Sequence, residues 1–392
     1  MAVSNNRYPR PLNLRKFKSI VALCDVDEQR LGAAAQRHPG AKTYHDYRRL
    51  LDQENLDAVV VATPDHHHAP ATMRAMLRDL HVYCEKPLTH TVEEARRIAQ
   101  VAAARKLATQ MGTQNHEHPG YVHLVELLRV GAIGDVKEVH VITDRPGKWW
   151  NQGMDRPAQT PQIPSYLHWD LWLGPAQERE YHQAYAPFRW RGWWDFGCGA
   201  IGDMAIHLLD PTFQALKLGG RPVNVTSQGP PPHPLSGPTQ MTTRFTFPAQ
   251  GENGELKVYW YEGDTKPQTD IAAKLPMNGS LFVGSKGEIA IEHGQQPKLL
   301  GEAEAVADSD VETAAPFSGS HHHQQWITAC KTGSATGSNF GYAGPFTEVV
   351  LLGNVAYRVG REITYNPVDM STGDKEADVL LRKNYRKGWE VS

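Results

Sequence analysis

The chain has 392 residues, enough for two domains with sizeable cores. A net charge of −2 offers no basic field for nucleic acid. The mean hydropathy is −0.51 and no run of about 18 apolar residues occurs, which argues against a transmembrane helix. The N-terminal stretch MAVSNNRYPRPLNLRKF lacks the apolar core of a secretory signal, so the chain as it stands reads as cytoplasmic.

In chain order, SIVALC from Ser19 reads as a strand, followed by a helix over Asp27–Arg37. AKTY and a short helix near Tyr47–Leu51 come next, then the strand DAVVVAT and a helix across Ala69–Arg78. HVYC, a helix over Val92–Lys106 and LATQMGT complete the pattern, and Gly120–Val130 reads as a helix leading out of the region. Short apolar runs separated by helical stretches of about 10–15 residues predict a parallel sheet covered on both faces. Later, VKEVHVIT, MTTRFTF, ELKVYWYE, SLFVG and EIAIE alternate apolar with polar residues, as half-solvated antiparallel strands should. The fold class is therefore α/β: a Rossmann-like domain over residues 1–118 and an α+β domain over 119–392 with an open, mainly antiparallel sheet. The four cysteines, Cys24, Cys84, Cys198 and Cys330, lie far apart and read as small buried hydrophobes.

Between Asp144 and Asp195 lies a long irregular insertion holding Trp149, Trp150, Trp169, Trp172, Trp190, Trp193 and Trp194. Most of these rings are expected to pack gaps between domains or subunits, with one or two, Trp194 among them, lining a substrate cleft.

Asp25 ends its strand, where an acidic side chain can accept from both ribose hydroxyls of NAD and would repel the 2′-phosphate of NADP. It reads equally as a helix N-cap. Arg30 could stack on adenine. Thr63 and Pro64, in ATPDHHHAP, form the turn at a strand's C-terminal end, where open α/β sheets bind ligands. Adjacent histidines do not converge on one point, so the triplet is no metal site; one of them, His68, is expected near the cofactor. A second triplet, His321–His323, reads as a solvated helix start. Glu85, Lys86 and Pro87 follow a buried strand at the same edge, where a lysine can donate to a substrate hydroxyl. Asp203 and His207 stand four apart on one helical face, as plain face residues, as two metal ligands, or as a polar pair facing substrate. No third ligand of matching spacing is evident, and the reading is that no metal is held.

The strand-Glu-Lys-Pro turn and WWDFGCGAIGDMAIHLLDP resemble the Gfo/Idh/MocA family of glucose–fructose oxidoreductase and inositol dehydrogenase. The likeness runs through GTQNHEHPGY, LHWDLWLGPA, FRWRGWWDFG, SNFGYAGPFTEVVLLGNVAYRVG and YRKGW, like a bacterial branch with a tryptophan-rich insertion. The resemblance implies that Lys86 is catalytic or orients substrate, that Asp203 and His207 line the sugar site with His207 moving the proton, and that Gln114 and Asn115 lie near nicotinamide or substrate. It implies NAD rather than NADP, a sugar or polyol substrate, and a homo-oligomer, dimer or tetramer, formed through the open sheet. In the expected reaction His207, with an ordinary pKa of about 6.5, takes the hydroxyl proton while Lys86 stabilises the alkoxide.

No glycine precedes Gly32, so the fingerprint that cradles pyrophosphate is missing ahead of Asp25. PLNLRKF reads as the last turns of the helix that normally follows that loop. The expectation is that the protein begins upstream, that the chain as it stands binds NAD weakly, and that an export signal lost with the same segment would make it periplasmic. Besides a dehydrogenase, two readings stay open: an NAD-dependent lyase or glycosidase-like enzyme using transient oxidation, and a non-catalytic binding or assembly homologue.

Overall fold

The computed structural model describes residues 20–249, 254–301 and 320–391. The expected missing strand and loop, and the helix end in PLNLRKF, concern residues 1–19 and lie outside the described residues.

The first region alternates strand and helix: β1 (Ala22–Cys24), α1 (Glu28–Arg37), β2 (Lys42–Tyr44), α2 (Tyr47–Gln53), β3 (Ala58–Val61), α3 (Asp65–Met76), β4 (His81–Cys84), α4 (Val92–Ala104), β5 (Thr109–Met111) and α5 (Pro119–Arg129). All the strand pairs are parallel, in two ladders, β1–β2 and β3–β4–β5. Val59, Val61, Val82, Cys84 and Met111 on these strands are buried, as strands covered on both faces require. α3 begins four residues before the expected Ala69, so its first turn contains all three adjacent histidines. α4 opens with a capping box: Thr91 Oγ1 accepts from Glu94 N, and Glu94 Oε2 accepts from Thr91 N at 3.0 Å.

The second region is one eight-stranded sheet. Its members are β6 (Val136–Thr143), β7 (Val223–Gln228), β8 (Met241–Phe247), β9 (Leu256–Glu262), β10 (Gly279–Gly284), β11 (Glu288–Glu292), β12 (Lys298–Leu300) and β13 (Ile363–Tyr365), in the order β12-β11-β10-β6-β9-β8-β7-β13. VKEVHVIT pairs antiparallel with β10, as expected, but is less solvated than expected and has a parallel neighbour as well. β6 is central, runs parallel to β9, and is buried from Val139 to Thr143. The other pairings are antiparallel.

Helices of this region are α6 (Trp169–Leu173), α7 (Ile206–Leu208), α8 (Asp210–Leu216), α9 (Ile271–Lys274), α10 (Ser320–Thr332), α11 (Phe340–Val359) and α12 (Lys375–Leu380). α11 is apolar almost all round and correspondingly buried, packed between α4 and strands β7 and β8. It ties the parallel strands and the large sheet into one continuous core. Gly360 ends it with a positive φ of 68°, a conformation that costs glycine nothing.

Apart from α6 and a 3₁₀ turn at Arg189–Gly192, the insertion is irregular. Trp169, Trp172, Trp190 and Trp193 form a separate core with Tyr185 and Phe196, which accounts for most of its rings as packing. Among the described residues no helix is long and apolar enough to cross a membrane. The four cysteines are free; Cys24, Cys84 and Cys198 are buried, and Cys330 is partly exposed.

Candidate active site

The chain leaves β4 at Cys84 into Glu85 and Lys86, beside the end of β3: Glu85 N donates to Val61 O at 2.9 Å. On the other side, Ile201–Ala205 forms one π-helical turn that runs into α7 and carries Asp203. Lys86 Nζ donates to the Asp203 carboxylate and, at 3.0 Å, to the Asp203 carbonyl. Two arginines complete the cluster: Arg145 Nη1 lies 3.3 Å from Asp203 Oδ2, and Arg191 Nε lies 3.2 Å from Oδ1. Burial alone would raise the Asp203 carboxyl. The charges of Lys86, Arg191 and Arg145 overturn this and hold it below the usual carboxylate range. Asp203 is thus a fixed anion that cannot take a proton near neutrality.

His207 follows on α7. Burial, then the positive field of Lys86, hold its imidazole well below its ordinary 6.5, and its Nδ1 is buried without a hydrogen-bond partner among the described residues. Where a titration near neutrality was expected, burial and Lys86 instead favour the neutral imidazole of His207. The Asp203 carboxylate is engaged by Lys86 and the two arginines. The His207 ring stands 5.6 Å from that of His293, whose Nδ1 lies 3.1 Å from Tyr121 Oη and 3.3 Å from Asn115 Nδ2. Burial pushes His293 down to about 4.

Gln114 Nε2 donates to Tyr83 Oη at 3.0 Å and to Glu85 Oε1 at 3.1 Å, fixing the carboxylate next to Lys86. Burial raises the Glu85 carboxyl, with Lys86 opposing. Gly112 runs against this residue so closely that a Cβ there would stand 2.9 Å from Glu85 Cα, so no other residue fits. Asp65, at the start of α3, is 3% exposed and accepts from Cys198 N at 3.0 Å. Burial pushes it to about 7 against the pull of Arg191 and Lys86.

Asp25 is not the cap of α1. Asp27 is, accepting from Gln29 N at 2.9 Å and Arg30 N at 3.1 Å. Asp25 Oδ1 accepts from Asp27 N at 3.0 Å, and burial pushes its carboxyl to about 6 against the pull of the Asp27 and Val26 backbone N–H groups. Its place at the end of β1 fits an acceptor for ribose hydroxyls. Arg30 pairs with Asp27 across 3.4 Å. Thr63 Oγ1 is buried without a partner among the described residues, at the turn with Pro64.

His68 is 1% exposed, with Nδ1 2.7 Å from Pro87 O and Nε2 2.9 Å from Thr63 O. It sits between the Thr63 turn and the Glu85–Pro87 turn, at the expected cofactor edge, and, being neutral, can donate to only one of the two carbonyls. His66 and His67 likewise reach the Trp172 carbonyl, at 3.1 and 2.8 Å. The second triplet is not a solvated helix start. His322 is fully buried, with Nε2 2.9 Å from Met111 O, and His323 stacks on Tyr83, because α10 packs across β4 and β5; only His321 is exposed. Trp194 Nε1 donates to His233 O at 3.0 Å. The ring lines a cavity of about 500 Å³ with His66, His90, Asn354 and Lys383, and Lys86, Asp203 and His207 do not line it. Sequence reasoning missed Arg145, Arg191 and His293; Arg145 and Arg191 lay in the insertion between Asp144 and Asp195 already singled out, and His293 did not.

Two models of one family match the chain. One, described as an oxidoreductase family with an NAD-binding Rossmann fold, covers residues 3–113; the other, its C-terminal alpha/beta domain, covers 127–391. Inositol 2-dehydrogenase of Rubrobacter xylanophilus is 36% identical over 117 residues, 29% of this chain and 33% of that protein. The enzyme of the same name from Salmonella typhimurium is 29% identical over 162 residues, 41% of this chain and 46% of that protein. The matches thus span a third to under half of these relatives. The WlbA dehydrogenase of Chromobacterium violaceum, solved with NADH and UDP-GlcNAcA, superposes with a TM-score of 0.63 at 17% identity over 90% of each chain, a likeness of fold. Since the family's own models cover both the strands that carry Lys86 and the region that brings Asp203 to it, the chain belongs to the Gfo/Idh/MocA oxidoreductase family.

Proposed function

We propose that the protein is an NAD-dependent dehydrogenase of a sugar or polyol. The observation that carries this reading is the meeting of Lys86 with Asp203 beside a neutral His207. Asp25 fits the adenosine ribose, and Thr63, Glu85 and Gln114 stand at the sheet edge where the nicotinamide half would lie. NAD+, when bound, supplies the hydride acceptor.

The chain's own residues handle the proton and the charge. A carbinol placed against Lys86 Nζ has its hydroxyl polarised by the ammonium, which stabilises the alkoxide as it develops. His207, neutral and desolvated, takes the hydroxyl proton as the C–H bond gives up its hydride; in reduction both return. Asp203 holds Lys86 in place and stays ionised throughout. Asn115 and Tyr121 fix His293 beside His207, within reach of a neighbouring hydroxyl. The face of the large sheet that carries Arg244, Lys257 and Tyr259, opposite the buried Phe245 and Val258, is the proposed contact between copies of the chain.

The test is NADH absorbance at 340 nm across a panel of polyols and sugars, for the wild type and Lys86→Met. Substrate-dependent NADH formation lost in the variant supports the proposal. Product without net NADH would favour transient oxidation, and NAD binding without turnover a non-catalytic role.

A further inference from the structure

Outside this site, three metal-ligating side chains from separate parts of the chain meet on the surface. Glu28 opens α1, His45 follows β2, and His168 precedes α6 in the insertion. One ligand atom from each lies within 4.8 Å of the other two. We propose that Glu28, His45 and His168 bind a divalent transition-metal ion of the zinc type.

The backbone pre-organises the three groups. Glu28 N donates to Tyr166 O and His168 N to Val26 O, both at 2.9 Å, so Asp27 and Leu167 pair as a short antiparallel bridge. This sets His168 against the first turn of α1, where its Nε2 lies 3.2 Å from Glu28 Oε1. His45 is oriented independently. Its Nδ1 lies 3.1 Å from the Asp25 carbonyl, which can only accept, so Nδ1 carries the proton and Nε2 presents a lone pair. A ring fixed through one nitrogen to a carbonyl, with the other left for the metal, is the usual outer-shell support of a zinc histidine. The two imidazoles stand with centroids 4.1 Å apart and planes tilted by 32°.

Two imidazoles and a carboxylate form a donor set of the type zinc takes, at about 2.0–2.2 Å from each ligand. Glu28 and His168 are about half and one-third exposed, so both can draw in on the ion, and water can fill a fourth position. The carboxylate supplies negative charge, and the ion would replace the lone Glu28–His168 contact with a three-way tie. That tie would lock the insertion onto the strand end that carries Asp25. None of the three residues belongs to the Lys86 cluster, so this proposal stands or falls independently of the dehydrogenase reading.

The test uses the full chain, stripped with EDTA and titrated with ZnCl2 by calorimetry, beside His45→Ala/His168→Ala and Glu28→Gln. The wild type should take up one more equivalent of Zn2+ per chain than the double variant, and Glu28→Gln should bind at least about tenfold more weakly. Co2+ should give the visible absorption of a low-coordinate nitrogen and oxygen site in the wild type only. All three positions are on the surface, and thermal melts establish that the variants fold. Equal Zn2+ uptake by the wild type and the double variant would overturn the proposal, leaving a plain surface contact between an acid and stacked imidazoles.

Discussion

Lys86 Nζ donates to both the carboxylate and the main-chain carbonyl of Asp203, a residue 117 positions further along the chain. One ammonium thereby fixes the distance between the β4 turn and the π-helical turn. Replacing Lys86 by Met should lower kcat by about 10²–10³ for want of the alkoxide's counter-charge, with the KM for NAD little changed. Steady-state kinetics on the wild type and variant check this.

Asp203→Asn tests the other half of the pair. It leaves Lys86, Arg145 and Arg191 facing one another across a buried site without their shared anion. Removing one partner of a buried ion pair costs roughly 3–5 kcal/mol, so the thermal midpoint should fall by several degrees along with activity. Asp203→Ala together with Lys86→Met should recover part of the midpoint and none of the activity.

His207 stays neutral well below pH 6.5, because burial and then Lys86 disfavour its charged form. Its base form is therefore present throughout the neutral range, and kcat should be flat there, falling only in acid. The same depression means that the unfolded chain binds the proton more readily, so stability is lost as pH falls below about 6.5. A pH–rate profile with an acid limb near 6.5 in kcat would contradict this, and His207→Asn should abolish whatever limb is seen.

Asp25 titrates separately, at about 6, where burial has raised it. Its carboxylate form is lost as pH drops through that value, so the KM for NAD should rise below pH 6 while kcat at saturating cofactor does not. Asp25→Ser should remove this dependence and shift preference toward NADP, as measured by the ratio of kcat/KM for the two cofactors.

Beneath Gln114 and Asn115, His116 Nδ1 lies 2.9 Å from Asp210 Oδ2, and Tyr342 Oη donates to Asp210 Oδ1 at 2.7 Å. Burial alone would lower His116; the Asp210 carboxylate overturns this and raises it. A raised histidine contributes stability that is fully present below about pH 6.5 and lost as pH rises through its folded value. His116→Asn should therefore cost roughly 3–5 kcal/mol at pH 6 and less at pH 9, read from urea denaturation at the two pH values.

The parallel strands of the first region were legible because strands covered on both faces must be apolar throughout, and Val59, Val61 and Val82 are. The glutamate–lysine turn was legible as well, since a ligand-binding edge follows from strand direction alone. What pairs with Lys86 was only half legible. Asp203 stood in a motif, but Arg145 and His293 come from turns and Arg191 from a four-residue 3₁₀ turn, all too short to carry a readable period.

Local spacing determined which residues ride on helices and strands, and so which could share a face or an edge. Protonation was decided only by the tertiary structure. The same histidine type is raised at His116 by a buried carboxylate, lowered at His207 by burial and an ammonium, and clamped between carbonyls at His68. A side chain's charge depends on what surrounds it in space, and those neighbours arrive from distant parts of the chain.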